Sequence, residues 1–518
     1  MTFLRRLSQT AIASVLALTL AGAAVAQEGT PVRGGTLTGS LILTLKSLDP
    51  IFGDADTIDR FVFNQIYEPL IRMTDDGRII PILATDYRFS EDGKQIFLTL
   101  RQGVTFHDGT PFNAEAVAFN LNRLRTTTEP TTRAGDVAHI ADVVAVSEYE
   151  VRIDLKQPSG SALSGLAMEG TLMVSPAAVE KYGADYGRNP VGTGPFRFVE
   201  WVGQERVVLE ANSGYWRTDA NGGALPYLDG VVIRSIPNYA TAILELESGG
   251  TQLMQGINPQ DFERIGANPA LELLNSPQVT SQMMVFNTQR PPFDDQRVRQ
   301  AVALSVDRAV LAQAIAGTHG AVYATMMPPS DWAYDPDLPA WPYDPDRARA
   351  LLAEAGYPNG IDINLAIIQR EPDATTGQII QQMMQASGIN LDLSIIERQS
   401  WIERVVNQKD FDLGMMIGYF PRPDPHESWG RYFSRDGGNN WSNHTDTELY
   451  DMVDAAQLET DTERRRAMYS DIAKRVLDES YMVFLYARPA LQAQAIGVRG
   501  VQQDVGGAWV LSEAWLGK

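Results

Sequence analysis

Cysteine is absent from all 518 residues. Disulfide frameworks and thiolate metal sites are thereby excluded, and so is the lipid-acceptor cysteine that anchors bacterial lipoproteins. Positive charge is also scarce, with 43 Lys and Arg against 64 Asp and Glu and a net of −21. That balance opposes nucleic acid and anionic lipid surfaces as partners. Histidine occurs five times, at His107, His139, His319, His426 and His444, with no spacing that would set two on one face as metal ligands. The chain carries neither a Gly-x-Ser-x-Gly elbow nor a His-Glu-x-x-His helix. Turn and capping roles account for Asp75-Asp76 and Asp294-Asp295, so no enzyme and no cofactor is expected. The remote alternative is a secreted hydrolase with two carboxylates roughly 5 to 9 Å apart across a cleft.

Long apolar runs are missing too, apart from Ala11 to Ala24, which falls short of the ~20 residues of a spanning helix. Arg5 and Arg6 precede that run and Ala24-Val25-Ala26 closes it, the pattern of an export signal cleaved after about Ala26. Excluding residues 1–26, 518 less 26 leaves 492 residues, and losing two arginines takes the net charge from −21 to −23. Such a length exceeds what one core usually supports, so two or three domains are expected. Export without a lipid anchor points to release into a periplasm.

Helical and strand-like segments alternate throughout, as in α/β proteins. Asp344 caps a helix that opens on Pro345, buries Ala348, Leu351, Leu352 and Ala355, and stops at Gly356. A second helix starts at Asp294 or Asp295 with Val298, Ala301, Val302 and Ser305 inward. A third restarts at Asp307 with Val310, Leu311 and Ala314 and ends at Gly317. Leu449, Met452, Val453 and Ala456 form a further stripe, Met468, Ile472 and Val476 another, and Met482 to Tyr486 reads as a buried strand. The Pro-rich passage from Met327 to Pro345 is an ordered surface excursion.

The segment NPVGTGPFRFVEW, Asn189 to Trp201, describes a tight crossover between two folded units. Gly192 and Gly194 permit angles that a side chain would forbid, Pro195 fixes the turn, and Phe196, Phe198 and Trp201 carry strand-like content. In LRQGVTFHDGTPFNAEAV, Leu100 to Val117, Gly109 and Pro111 make a turn and Asn113 caps a helix, with His107 and Asp108 away from any ligand. Taken with Ser47-Leu48-Asp49-Pro50 as a first-strand motif, Ile66 to Leu70, Gly214-Tyr215-Trp216, Pro226 to Gly230, Phe286-Asn287-Thr288, Phe293-Asp294 and Val298 to Ala301, the chain resembles family 5 of the bacterial extracellular solute-binding proteins. These are the receptors of peptide, glutathione, nickel and opine ABC importers. Trp341 to Gly360 is similar to the glutathione branch.

The resemblance implies a periplasmic-binding-protein-like α/β fold of the Venus-flytrap, cluster C type: two lobes joined by a hinge, plus an inserted domain. Domain I would comprise residues 27–61, 192–285 and 491–518, domain II residues 62–191, and domain III residues 286–490. A ligand would lie between domains I and III, and the closed form, expected as a monomer, would dock on ABC permease subunits of the inner membrane. By the same likeness Gly418-Tyr419 and Asp424-Pro425 match the family's ligand motif, while the place of its amine-pairing aspartate falls on Arg422 or Pro421. A guanidinium suits a carboxylate, so a small, carboxylate-bearing peptide or glutathione-like solute is expected. An opine, an oligosaccharide or a nickel chelate, the last through His426, is the alternative. Thr44, Leu45 and Lys46 would form the domain I lip, and Trp401, Trp429, Trp441 and Trp509 are candidate cleft walls.

Overall fold

The computed structural model describes residues 29–42, 45–53, 59–74, 76–276, 279–418, 424–435 and 440–517. The export segment, residues 1–26, lies outside them. Among the described residues three larger sheets stand out, the seven- and four-stranded ones each on one apolar core and the five-stranded one between two. In the seven-stranded sheet Thr36–Leu41 runs parallel to both Gly230–Ser235 and Leu253–Met254. Antiparallel strands extend it to Phe196–Val202 at one edge and Leu271–Leu274 at the other. Leu37, Val207, Leu209, Val231 and Ile233 fill its core.

The four-stranded sheet is wholly antiparallel, in the order Ala84–Phe89, Gln95–Leu100, Glu150–Leu155, Ile140–Ser147. Glu150–Leu155 alternates buried and half-buried residues along its whole length, the period of a sheet with one packed face. Helix Ala114–Thr126 covers that face with Val117, Leu121 and Leu124, and Asn113 caps it by accepting from the Ala116 amide at 3.0 Å.

The five-stranded sheet runs Ile389–Ile396, Ile361–Ile368, Leu413–Ile417, Val279–Phe286, Met482–Pro489. Helix Asp373–Met384 links its parallel pair Ile361–Ile368 and Ile389–Ile396. Here both faces are buried. Ile363, Leu365 and Ile367 enter one core, Ala366 and Ile368 the other, which explains an unbroken apolar run where the four-stranded sheet alternates. The sequence-read helices appear as Pro345–Glu354, Gln296–Leu304, Arg308–Ala316, Thr447–Leu458 and Thr462–Glu479. Asp344, Asp295 and Asp307 cap the first three, and Gly356 and Gly317 follow their ends with positive φ.

Two expectations need correction. Ser47 to Pro50 is a turn, because the Ser47 hydroxyl accepts from the Asp49 amide and the Asp49 carboxylate from the Ile51 amide; the first strand is Thr36–Leu41. Gly192 and Gly194 do not adopt left-handed angles. Their need is proximity: a Cβ at Gly192 would collide with the Ile66 carbonyl, and one at Gly194 would lie 2.7 Å from the carbonyls of Gln65 and Ile66.

That close approach is held by Glu68, which is 2% exposed. Its carboxylate accepts from the Thr193 hydroxyl at 2.9 Å, the Tyr215 hydroxyl at 2.8 Å and the Trp216 indole at 2.8 Å. Burial raises its pKa above the usual carboxylate range, and the three donors oppose the shift. His107 adds a second tie, its Nε2 lying 3.0 Å from the Gly194 carbonyl while its own amide donates to the Gly192 carbonyl at 2.8 Å. Replacing Glu68 with Ala would leave three buried donors without an acceptor, at roughly 1 kcal/mol or more each. The expected outcome is a loss of at least about 3 kcal/mol in urea unfolding at unchanged m-value. A loss below about 1 kcal/mol would show that water replaces the carboxylate.

Candidate functional site

The five-stranded sheet joins the rest of the chain through two adjacent crossings. Leu271–Leu274 and Gln492–Ala495 pair antiparallel in the seven-stranded sheet, with Leu274 opposite Gln492. On the far side Val279–Phe286 and Met482–Pro489 pair antiparallel, with Val279 opposite Pro489. Strand pairing on both sides of a short connection makes a two-stranded hinge. Registers then fix what faces the gap. Met254 lies beside Ala493, and Ile417 beside Gln282, so the carboxyl ends of the parallel strands of both sheets open toward the hinge. Carboxyl ends of strands are where open α/β sheets hold ligands.

On the five-stranded side this edge carries a cluster that sequence reasoning missed. Arg370, just beyond Ile361–Ile368, pairs its Nε with the Asp373 carboxylate at 2.7 Å. Asp373 is 1% exposed and opens helix Asp373–Met384. Burial raises its pKa, while Arg370 and Arg488 pull it down. Arg488, opposite Thr280 on the hinge strand, is half-buried and forms no ion pair among the described residues. Burial lowers its pKa, with Asp373 opposing the shift and Arg370 reinforcing it. Arg370 thus pairs Asp373 directly and Arg488 acts on it through space, while Glu371 opposes them, so two guanidiniums and two carboxylates gather beside a helix N-terminus. The Tyr486 hydroxyl lies 3.0 Å from that of Thr376, and the buried Gln282 Nε2 beside it has no hydrogen-bond partner among the described residues. The signal available in the sequence was Gln-Arg-Glu-Pro-Asp at Gln369 to Asp373, an arginine where an apolar strand gives way to a helix.

A cavity of about 600 Å³ adjoins the cluster, between Asn258, Pro259 and Phe262 of the seven-stranded unit and Glu371, Pro372 and Thr375 of the five-stranded one. Its size is that of a small-molecule site. The His319 ring meets the Phe262 edge at 5.0 Å and closes one side.

The residues expected from the sequence are distributed differently. Thr44, Tyr419 and Arg422 lie outside the described residues. Leu45 is packed in the seven-stranded core at 6% exposure, and Lys46 is exposed. Gly418 ends its strand with its amide donating to the Ser281 carbonyl at 2.8 Å, and a Cβ there would collide with Met283. Asp424 is 2% exposed and gives both oxygens to Arg465 at 2.7 Å, so it is committed within the protein and not open to a ligand amine.

Trp401, Trp429 and Trp509 are 2%, 1% and 0% exposed. They are interior packing in place of the expected cleft walls, because apolar contact surrounds each ring. The Trp509 face lies on Gly39 and its Nε1 donates to Gln492 at 2.7 Å, while Trp401 donates to the Ala366 carbonyl at 3.1 Å. Trp441 is half-buried, edge-on to Trp401 at 5.8 Å.

Among the described residues no three of His, Asp and Glu converge as metal ligands. Burial lowers the pKa of His107, His139, His426 and His444 alike, to about 4.

A model of the middle region of the bacterial extracellular solute-binding proteins, family 5, matches residues 78–440. The glutathione-binding protein GsiB of Salmonella typhi is 33% identical over 374 residues, 72% of this chain and 72% of that protein. The periplasmic binding protein DppA of Helicobacter pylori, solved with the peptide STSA, superposes with a TM-score of 0.79 at 24% identity, covering 94% of this chain and 99% of that one. The binding protein AgaA of A. tumefaciens, solved with agropinic acid, gives a TM-score of 0.76 at 25% identity, covering 93% and 99%.

These four histidines, His107 and His444 buried and His139 and His426 half-buried, set a pH dependence. Below the unfolded value of 6.5 the unfolded chain takes up protons that the folded chain refuses down to about 4. Their contribution to stability is therefore complete above pH 6.5 and lost as the pH falls, at about 1.4 kcal/mol per histidine per pH unit once well below it. Urea midpoints measured at pH 7 and pH 5 are expected to fall accordingly. Equal midpoints would mean that these rings take up protons in the folded protein.

Proposed function

The chain belongs to family 5 of the bacterial extracellular solute-binding proteins, and from that membership we propose that it captures a small, carboxylate-bearing peptide or glutathione-like solute and delivers it to an ABC permease. The division into domains belongs to this reading: domain I from residues 27–61, 192–285 and 491–518, domain II from 62–191, and domain III from 286–490, with the solute between I and III. Export to the periplasm with cleavage near Ala26 completes it. The matched relatives are binding proteins, which supports binding as the function of the hinged cleft.

The observation that carries the ligand class is Arg488, half-buried on the hinge strand with no ion pair among the described residues, beside the Arg370–Asp373 pair. A ligand carboxylate would accept from such a guanidinium through two parallel hydrogen bonds. Glutathione and agropinic acid, bound by two of the relatives, both carry carboxylates, which supports the same chemistry. The anionic preference first attached to Arg422 passes in this reading to Arg370 and Arg488. An acidic chain gains from such a local inversion of charge, since repulsion elsewhere on the surface leaves the cleft as the favourable place for an anion.

Refolded, ligand-free protein titrated with glutathione, with di- to pentapeptides and with opines is expected to show raised melting temperatures. A ligand at 100 times its dissociation constant adds about 2.7 kcal/mol. Arg488→Gln is expected to weaken the best carboxylate ligand at least about tenfold by calorimetry, the order of one charged hydrogen bond. Undiminished binding by that variant sinks the anion subsite. Response to oligosaccharides or nickel chelates alone keeps the receptor and discards the ligand class.

A further inference from the structure

The four-stranded unit meets the five-stranded unit at the corner formed by residues 158–161. The Gly160 amide donates to the Gln457 carbonyl at 2.9 Å, and its own carbonyl accepts from Arg465 Nη1 at 3.3 Å. A Cβ on Gly160 would collide with the Glu459 carbonyl and come within 2.9 Å of the Arg465 side chain. The corner is thus seated without slack in the turn between helices Thr447–Leu458 and Thr462–Glu479. Ser159 and Ser161, 2% and 5% exposed, stiffen it through hydroxyls 3.2 Å apart. Gly77 makes a second touch, its backbone lying against the Trp332 ring. Around these contacts lies a cavity of about 910 Å³ that Tyr87, Phe89, Trp332 and Arg465 help to line, so the two units meet over a small area.

Arg465 serves both units at once. It holds both oxygens of Asp424, donates through Nε to the Ala456 carbonyl at 3.0 Å, and lies 5.2 Å from the Trp332 ring centre. One guanidinium therefore ties Asp424, just ahead of helix His426–Phe433, to a corner of a different unit. Any opening at the two-stranded hinge that draws the five-stranded unit away from this corner breaks the Gly160 bonds.

We propose that Gly160 and Arg465 form a closure latch, with Arg465 as the positioning residue that couples Asp424 of the five-stranded unit to the four-stranded unit and shifts the open–closed equilibrium toward closed by about tenfold. The latch rests on the hinged-receptor reading but on no particular ligand. Its test is small-angle scattering of the ligand-free protein and of the protein with glutathione, on the parent chain and on Gly160→Ala, which keeps the Asp424–Arg465 pair. The expected result is a larger radius of gyration for Gly160→Ala in at least one of the two conditions, with an unchanged melting temperature. Arg465→Lys, which keeps the charge but not the fork, is expected to expand the protein similarly, and the double variant no further, since one contact is removed by either change. Scattering curves that superimpose for parent and Gly160→Ala in both conditions overturn the latch. Glutathione affinity measured on the parent decides the ligand reading separately, so a receptor that binds glutathione yet scatters identically loses only the latch.

Discussion

One buried carboxylate fixes how the units of this chain relate. Glu68 sits where helix Arg60–Ile66 gives way to the four-stranded unit, and its three donors come from the returning crossover and from the Tyr215-Trp216 turn. A carboxylate taken out of water is tolerated only when its oxygens are satisfied, so Thr193, Tyr215 and Trp216 have little freedom to move relative to it. The outgoing and returning chains also bond directly, the Gly194 amide donating to the Ile66 carbonyl at 2.9 Å. Tyr67 reaches back to the Leu48 carbonyl at 2.7 Å. The four-stranded unit consequently rides on the seven-stranded one as a single body. The crossings to the five-stranded unit are anchored on the seven-stranded side instead, where the buried Gln492 donates to the Gly507 carbonyl at 2.6 Å and accepts from the Trp509 indole at 2.7 Å.

Buried arginines elsewhere follow the rule that a desolvated charge needs a partner. Arg60 meets Glu169 at 2.8 Å and Asp504 at 3.0 Å, Arg133 meets Glu169 at 3.0 Å, and Arg465 meets Asp424. Each pair ties segments far apart in sequence. Arg488 departs from that pattern on a hinge strand, at the edge where both sheets open. Arg308, 4% exposed, departs from it too, with no ion pair among the described residues and its Nη2 without a hydrogen-bond partner, so it is the position of Arg488 and not the missing carboxylate alone that distinguishes it.

Local chemistry was legible in the sequence where one element decides the outcome by itself. Asp344, Asp307 and Asn113 cap helices because a short side chain beside an orphan amide suffices, whatever surrounds it. The family could likewise be named from motifs, though the reason those motifs exist could not. Gly192 and Gly194 are small because Gln65 and Ile66 pass beside them, and His107 matters because it touches that same passage; both facts need the fold. The tryptophans were misjudged for a related reason. Ring size and spacing say nothing of whether a face such as Gly39 waits to cover Trp509. Arg488 was invisible because its place on the hinge strand beside Asp373 is a property of the fold and of no single stretch.

Hinged binding imposes a further constraint on how tight any one contact should be. Closure is useful to a receptor only if ligand shifts it, so contacts between protein groups must leave the closed form neither dominant nor negligible without ligand. A two-point seat at Gly160, small in area and flanked by a large cavity, meets that requirement better than a broad apolar interface would.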